Sequence, residues 1–223
     1  MKYVIGNLKS HKNFAEAHGW LEAFTSHDVA SLDQNVSVVI CPPSPFLLLF
    51  KEALASYPHI SIGSQDISQF GAGKYTGEMS AFTLRGIVTH ALIGHSERRT
   101  YFHETNATVS AKVDQAQSMQ ITPVVLVRNE HDLIPDGVDM IAYEPVEAIG
   151  SGHNMSIEDV SAMKRKLGID QSKVFIYGGS VTSLNVRDYL SHAEIQGVLP
   201  GTSTLDPHEF YSLLERASYI STQ

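Results

Sequence analysis

Short apolar runs alternate with longer amphipathic segments along the whole chain. The runs are nearly continuous and rich in β-branched residues, as expected of strands buried on both faces of a parallel sheet. They predict eight strands: Tyr3–Gly6, Val36–Ile40, Ile60–Gly63, His90–Gly94, Thr122–Val127, Met140–Tyr143, Val174–Tyr177 and Gly197–Leu199.

The segments between these runs predict helices. Phe14–Phe24 places its apolar residues, Phe14 included, close to an i, i+3, i+7 pattern, and Asn106–Ser118 repeats that spacing. Ser156, with an acidic residue three positions on, predicts a capped helix start. Asp206-Pro207 predicts the start of the last helix, because proline is favoured in the first turn.

Eight strands, each followed by a helix or a helix-like turn, favour an α/β fold, a closed (β/α)8 barrel formed by a single domain over residues 1–223. The alternative is an open doubly wound sheet, which usually carries a glycine-rich dinucleotide loop after its first strand. Gly6-Asn7-Leu8-Lys9 follows the first strand here and lacks that loop. The fifth connection, Arg128–Val138, is too short for a helix of ordinary length.

Composition and charge exclude several classes of function. The net charge is −8 without a basic run, which disfavours nucleic-acid binding. Cys41 is the sole cysteine, so an internal disulfide and a cysteine-rich zinc site are excluded. No apolar run is long enough for a signal peptide or a membrane span, so we expect a cytoplasmic protein that does not bind membranes.

Polar side chains end three of the predicted strands. Asn7 and Lys9 follow the first strand, His95 the fourth and Glu144 the sixth. The carboxyl ends of barrel strands meet at one mouth, so these groups are expected to converge. Each residue by itself is also what an ordinary solvated strand end would show. Together they suit proton abstraction beside a carbonyl, which needs a carboxylate in a dry place.

Backbone N–H groups at the same mouth predict an anion site. Glycine permits close approach of the chain to an anion, and Gly150, the Gly178-Gly179-Ser180 turn and Gly201-Thr202 are the candidates. No histidine pair with a third acidic ligand stands out, so we expect no metal.

Four blocks of the chain resemble triosephosphate isomerase in order and spacing. They are Gly6–Lys9, Gly94–Arg99, Tyr143–Gly152 and Tyr177–Val181, and the resemblance extends from the first strand to the last helix, over nearly the whole chain. It implies a cofactor-free isomerase that interconverts dihydroxyacetone phosphate and D-glyceraldehyde 3-phosphate through an enediolate, in glycolysis and gluconeogenesis.

The resemblance also implies a role for each residue. Glu144 would be the general base and His95 the electrophile, which in this family is a neutral imidazole. Lys9 and Asn7 would stabilise the charged intermediate, and Glu97 would hold Lys9. The implied phosphate-binding residues are Asn7, Lys9, Gly150, Ser180, Gly201 and Thr202.

The chain departs from the commoner family pattern at three places. Glu147 replaces the usual tryptophan of the lid, as in archaeal members, and we expect Arg128 or Asn129 to hold it. The second hinge is His153-Asn154-Met155. Thr202 replaces a glycine and must supply the N–H that glycine would.

The segment Gln65–Glu78 resembles the loop through which family members insert into a neighbouring subunit. It implies a homodimer, and the shortened fifth connection resembles that of tetrameric archaeal members. An ordinary surface loop is the alternative. For function, the alternatives are a barrel that binds phosphorylated ligands without turnover and an isomerase of larger sugar phosphates.

Overall fold

Eight parallel strands pair in chain order and close on themselves when β8 pairs with β1. The computed structural model describes residues 1–145 and 154–218. The strands are β1 (Lys2–Asn7), β2 (Val36–Cys41), β3 (Ile60–Ser64), β4 (His90–Ile93), β5 (Thr122–Val127), β6 (Met140–Tyr143), β7 (Val174–Tyr177) and β8 (Gly197–Val198). This closed pairing confirms the predicted barrel and excludes the open doubly wound sheet. The predicted strand ends are correct to within one residue.

Helices connect most of the strands within the described residues. They are α1 (Phe14–Thr25), α2 (Leu47–Ala53), α3 (Ala81–Leu84), α4 (Ser96–Tyr101), α5 (Asn106–Ser118), α6 (Ile157–Lys166), α7 (Val186–Ser191) and α8 (Pro207–Ser218). Three short 3-10 turns accompany them, at Val29–Ser31, Ser44–Phe46 and Thr202–Thr204. In the described part of the chain, none of these helices has both the length and the apolar character needed to span a membrane.

The core has two layers because side chains alternate across each strand. Val4 packs in the larger cluster between strands and helices, whereas its neighbour Ile5 points into the barrel. The inner cluster consists of Ile5, Val39, Cys41, Leu92, Val124, Leu126, Met140, Ala142, Ile176 and Leu199. A packed interior means that the barrel is not a pore, so chemistry is confined to its ends.

Local capping explains where several helices begin. Asn13 and Glu16 form a reciprocal capping box at the start of α1. The Ser156 hydroxyl accepts the Asp159 N–H at 3.1 Å, which confirms the predicted start of α6. The expectation that Phe14 belongs to the apolar face of α1 is wrong, because its side chain is 66% exposed. Phe14 is the first residue of the helix and lies beyond the reach of the core.

The connection between β5 and β6 contains turns but no helix over residues 128–139, all of which the structure describes. This confirms the shortened fifth connection. The carboxyl ends of the strands, where the candidate residues lie, are otherwise followed by ordinary loops and helices.

Candidate active site

The strand ends bring the predicted residues to one mouth of the barrel. A cavity of about 330 Å³ opens there. Its lining includes Lys9, His95 and Glu144, which come from the segments after β1, β4 and β6. Their convergence was predicted from position alone and is confirmed by the geometry.

Glu144 and His95 are in direct contact. The Glu144 Oε1 atom lies 3.1 Å from His95 Nε2, and Glu144 Oε2 accepts the Ser96 N–H at 3.0 Å. Both side chains are almost completely buried, at 3% exposure for Glu144 and 4% for His95. A carboxylate is therefore held in a dry site by hydrogen-bond donors from the start of α4.

The tautomer of His95 follows from its second nitrogen. His95 Nδ1 accepts the Glu97 N–H at 3.2 Å, as the N-cap of α4. An acceptor nitrogen carries no proton, so the proton of a neutral ring is on Nε2 and points at Glu144. The imidazole is thereby aimed into the cavity as a donor.

Lys9 is held by three separate contacts. Its ammonium pairs with Glu97 Oε1 at 2.6 Å, and its backbone N–H donates to Asn7 Oδ1 at 2.9 Å. The Gln65 amide donates to the Lys9 carbonyl at 2.7 Å and to the Cys41 carbonyl at 3.0 Å. Asn7 uses its oxygen in this contact, which leaves its amide N–H groups as the donors.

Gln65 is a site-supporting residue that sequence reasoning missed. It directly follows β3, just as the predicted site residues follow strands one, four and six, so its position at a strand end was the signal that could have identified it. Gln65 is also the first residue of the segment that resembles the protruding loop, and this second interpretation concealed its place at a strand end.

Burial and charge act in opposite directions on the two acid–base groups. Burial favours the protonated form of Glu144, but His95, the Ser96 N–H and Lys9 together lower the pKa of the carboxyl. Burial also disfavours the charged imidazole, but the Glu144 and Glu97 carboxylates together outweigh it and raise the pKa of His95. The contact between the two groups contributes to both shifts, so both should diminish if Glu144 moves away.

The segments that follow β7 and β8 form the other wall of the cavity. Gly178, Gly179, Ser180, Gly201 and Thr202 all line it, as predicted. A Cβ atom on Gly178 would lie 2.9 Å from Glu144 Cγ, so glycine is needed there for the carboxylate to fit. Of the other phosphate-binding candidates, Asn7 is buried and does not line this cavity, and Gly150 lies outside the described residues.

The two expected partners of Glu147, Arg128 and Asn129, each contact another residue in the structure. Arg128 forms a bidentate pair with Asp132, with two distances of 2.8 Å, and Asn129 Oδ1 accepts the His131 N–H. Glu147 and His153 lie outside the described residues, so the pairing of Glu147 with Arg128 or Asn129 stays a prediction. Within residues 1–145 and 154–218, no group of three or more metal-ligating side chains is clustered.

These observations define a (β/α)8 barrel with a buried carboxylate, an imidazole and an ammonium group at the edge of a glycine-lined cavity. Comparison with known proteins narrows this class. The family model for triosephosphate isomerase matches residues 2–134 and 133–217, and the two matches meet inside the helix-free β5–β6 connection. The chain belongs to the triosephosphate isomerase family.

Individual relatives support the same assignment over nearly the full chain. A triosephosphate isomerase of Thermus thermophilus is 35% identical over 248 aligned positions, covering 96% of this chain and 98% of that protein. One of Nitrosomonas europaea is 34% identical, covering 95% and 96%. One of Dictyoglomus turgidum is 29% identical, covering 96% and 98%. An alignment of 248 positions exceeds the 223 residues here, so the Thermus protein contains segments that this chain lacks.

Proposed function

We propose that the chain catalyses the interconversion of dihydroxyacetone phosphate and D-glyceraldehyde 3-phosphate in glycolysis and gluconeogenesis, without a cofactor. The observation that carries the proposal is the buried contact between Glu144 and His95, next to Lys9 and a glycine-lined pocket, in a member of this family. Binding alone would not require a base, so this arrangement favours turnover over a purely ligand-binding barrel.

Glu144 acts as the general base. It removes a carbon-bound proton from the substrate and returns it to the adjacent carbon. In the ligand-free arrangement its two oxygens contact the His95 ring and the Ser96 N–H. Moving to the substrate carbon breaks the contacts with His95 and the Ser96 N–H that lower the pKa of Glu144, and so strengthens it as a base.

His95 acts as the electrophile and proton shuttle between the two substrate oxygens. Its Nε2 proton is aimed into the cavity because Nδ1 is occupied by the Glu97 N–H. When Glu144 moves away, the main group that raises the imidazole pKa moves with it, although Glu97 remains, and burial then favours the neutral ring. A preorganised neutral donor aimed at the developing oxyanion stabilises the enediolate.

Lys9, Asn7 and Glu97 stabilise the developing charge. The Lys9 ammonium is the positive group beside the carbonyl and phosphate, and Glu97 orients it at 2.6 Å. The phosphate lies against the N–H groups of Ser180, Gly201 and Thr202, with Gly150 contributing from the lid. An anion pocket of this kind needs no metal.

The assembly belongs to the same proposal. One domain spans residues 1–223, and two copies associate as a homodimer through the loop Gln65–Glu78, with a tetramer as a further possibility. Exposed aromatic side chains in this loop support the proposal, since a lone surface loop gains nothing by exposing them. A cytoplasmic location, usual for enzymes of this family, completes it.

The decisive experiment is a coupled isomerase assay on the wild type and Glu144→Gln. We expect the variant to lose at least ~10³ in turnover, since base catalysis is commonly worth 10²–10⁴. Wild type that binds triose phosphates but does not turn them over would favour the purely ligand-binding barrel. Higher activity on a longer sugar phosphate would favour the isomerase of larger substrates. Equal rates for wild type and variant would remove Glu144 from its role.

A further inference from the structure

Three tyrosine side chains from different elements converge on Met155, which precedes α6. The Tyr189 hydroxyl donates to the Met155 carbonyl at 2.7 Å, and the Met155 N–H donates to the Tyr177 hydroxyl at 3.1 Å. The Tyr143 hydroxyl lies 3.5 Å from the Met155 sulfur. Both backbone polar groups of one residue are therefore satisfied by side chains, outside any regular element.

Tyr189 and Tyr177 also contact each other. Their rings stack with centroids 4.6 Å apart and an interplanar angle of 28°. Both are buried, and burial raises the pKa of each phenol, so both hydroxyls stay protonated at neutral pH. Tyr189 thus fixes the Tyr177 ring directly by stacking and indirectly through Met155.

The Tyr177 hydroxyl lies against the glycine turn at the cavity. A Cβ atom on Gly179 would lie 2.2 Å from Tyr177 Oη and 2.3 Å from its Cζ. The phenol therefore occupies the space that a side chain at position 179 would need. The position of the Tyr177 phenol therefore limits the conformations that the turn at residues 178–180 can adopt.

We propose that Tyr189 is a positioning residue for the anion-binding turn Gly178-Gly179-Ser180, acting through Met155 and Tyr177. Tyr189 does not line the cavity in the described part of the chain, so it acts without touching a ligand. The inference rests on the proposed function, because it is the proposed function that assigns this turn to the substrate phosphate. Inorganic phosphate tests it separately from turnover.

The hydroxyl of Tyr189 can be removed without removing its ring. Tyr189→Phe keeps the stack on Tyr177 but leaves the Met155 carbonyl without its donor. The turn then gains freedom that it must lose again when an anion binds, and this loss weakens binding. We expect the dissociation constant for inorganic phosphate to rise about 3- to 10-fold, as for the loss of one hydrogen bond.

The experiment compares two substrates in the full-length enzyme. Isothermal titration measures phosphate affinity, and kcat and KM are measured on D-glyceraldehyde 3-phosphate and on D-glyceraldehyde, which lacks the phosphate. Tyr211→Phe is the matched control, because its hydroxyl also donates to a backbone carbonyl, that of Asp28 at 3.4 Å, away from the site. Thermal melting of each variant confirms folding.

If Tyr189 is a positioning residue, its replacement should weaken only the binding of phosphate and of the phosphorylated substrate. Tyr189→Phe should raise KM for the phosphorylated substrate and leave kcat/KM on D-glyceraldehyde within about twofold of wild type. Tyr189→Leu, which also removes the stack, should show the same pattern more strongly. Tyr211→Phe should match wild type in every measurement.

Two results would overturn the inference. An unchanged phosphate affinity in Tyr189→Phe would show that the turn does not depend on this hydroxyl. Equal losses on both substrates would show a general structural role instead. A wild type that binds phosphate in a Tyr189-dependent manner but turns over no triose phosphate would leave the inference standing and overturn the proposed function.

Discussion

At the scale of single residues, Lys9 shows how the site is prepared before any ligand arrives. Its φ of +48° is in the left-handed region, which non-glycine residues rarely adopt. A conformation of this kind costs of order 1–3 kcal/mol and persists only where surrounding contacts fix it. Here Asn7, Gln65 and Glu97 hold the N–H, the carbonyl and the ammonium of Lys9. The cation is therefore preorganised at the cavity.

Replacing Lys9 by alanine should weaken the binding of a phosphate ligand. A charge-assisted hydrogen bond contributes about 1.5–3 kcal/mol, which corresponds to a dissociation constant roughly 10-fold to 100-fold higher. Titration calorimetry with inorganic phosphate measures this directly.

Lys173→Ala is the control for the lost charge. Lys173 pairs with Asp139 at 2.8 Å next to the amino end of β7, at the opposite end of the barrel from the cavity. We expect it to bind phosphate as wild type does. Unchanged affinity in Lys9→Ala would refute the role of Lys9 in anion binding.

At the scale of elements, the β5–β6 connection shows how a missing helix is compensated. Asp132 takes a bidentate pair and a backbone N–H from Arg128, and Arg99 Nη1 lies 3.6 Å from it. Arg99 in turn donates to the Gly94 carbonyl, directly before His95. A buried carboxylate thus ties the helix-free connection to the element that carries the imidazole.

Asp132→Asn should destabilise the fold by about 3 kcal/mol at pH 7, because it leaves the buried Arg99 guanidinium without its anion and removes the bidentate pair with the partly exposed Arg128. Urea unfolding measures the difference. Burial opposes ionisation of Asp132, but hydrogen bonds from Arg128 outweigh it and lower the pKa of the carboxyl below its usual 3.8. A depressed folded-state pKa stabilises the protein above the unfolded value, and that contribution disappears as the pH falls through the folded value.

The difference between wild type and Asp132→Asn should therefore shrink as the pH falls below about 4. Asp139→Asn serves as the control, since Asp139 forms an exposed pair with Lys173, and exposed pairs contribute little. A gap between wild type and Asp132→Asn that stays constant down to pH 2 would contradict the assigned charge of Asp132.

At the scale of the whole molecule, the loop Gln65–Glu78 has a base held by ion pairs and a tip with exposed aromatic side chains. Asp66 at its base pairs with Lys112 at 2.6 Å and with Arg98 at 2.9 Å. Farther along, Phe70 and Tyr75 stack with centroids 4.4 Å apart and remain 40% and 45% exposed. A rigid base with an exposed aromatic tip is expected of a loop that is covered by a second copy.

Light scattering of the wild type should give a mass at least twice the 24.5 kDa of one chain. Phe70→Asp combined with Tyr75→Asp should shift the protein towards monomer, because charges would have to be buried at the interface. Ala193→Asp adds a charge near the opposite end of the barrel and should not change the mass. A wild-type monomer with full activity would exclude the proposed association.

The sequence predicted most of the fold and the centre of the site, for a definite reason. The strands are recognisable because a buried parallel strand requires a continuous apolar run, and Met140–Tyr143 and Val174–Tyr177 were predicted to the residue. The side chains after strands one, four and six could be grouped because barrel topology places all strand ends at one mouth. Phe14 was misplaced because periodicity shows which face is apolar but not where along a helix the core ends.

Three features could be established from the sequence alone: the order of the short apolar runs, the polar residues that follow them and the glycine turns. Each could be predicted because it depends on neighbours only a few positions away. Contacts between distant segments were decided by the tertiary structure alone. Gln65 meets Lys9 across 56 positions, and Tyr189 meets Met155 across 34. Hydrogen bonds between residues so far apart in the sequence leave no local sequence pattern, because they depend on how the closed barrel brings loops together. The tautomer of His95 and the fit of Glu144 against Gly178 were settled in the same way, by atoms that meet only in the folded protein.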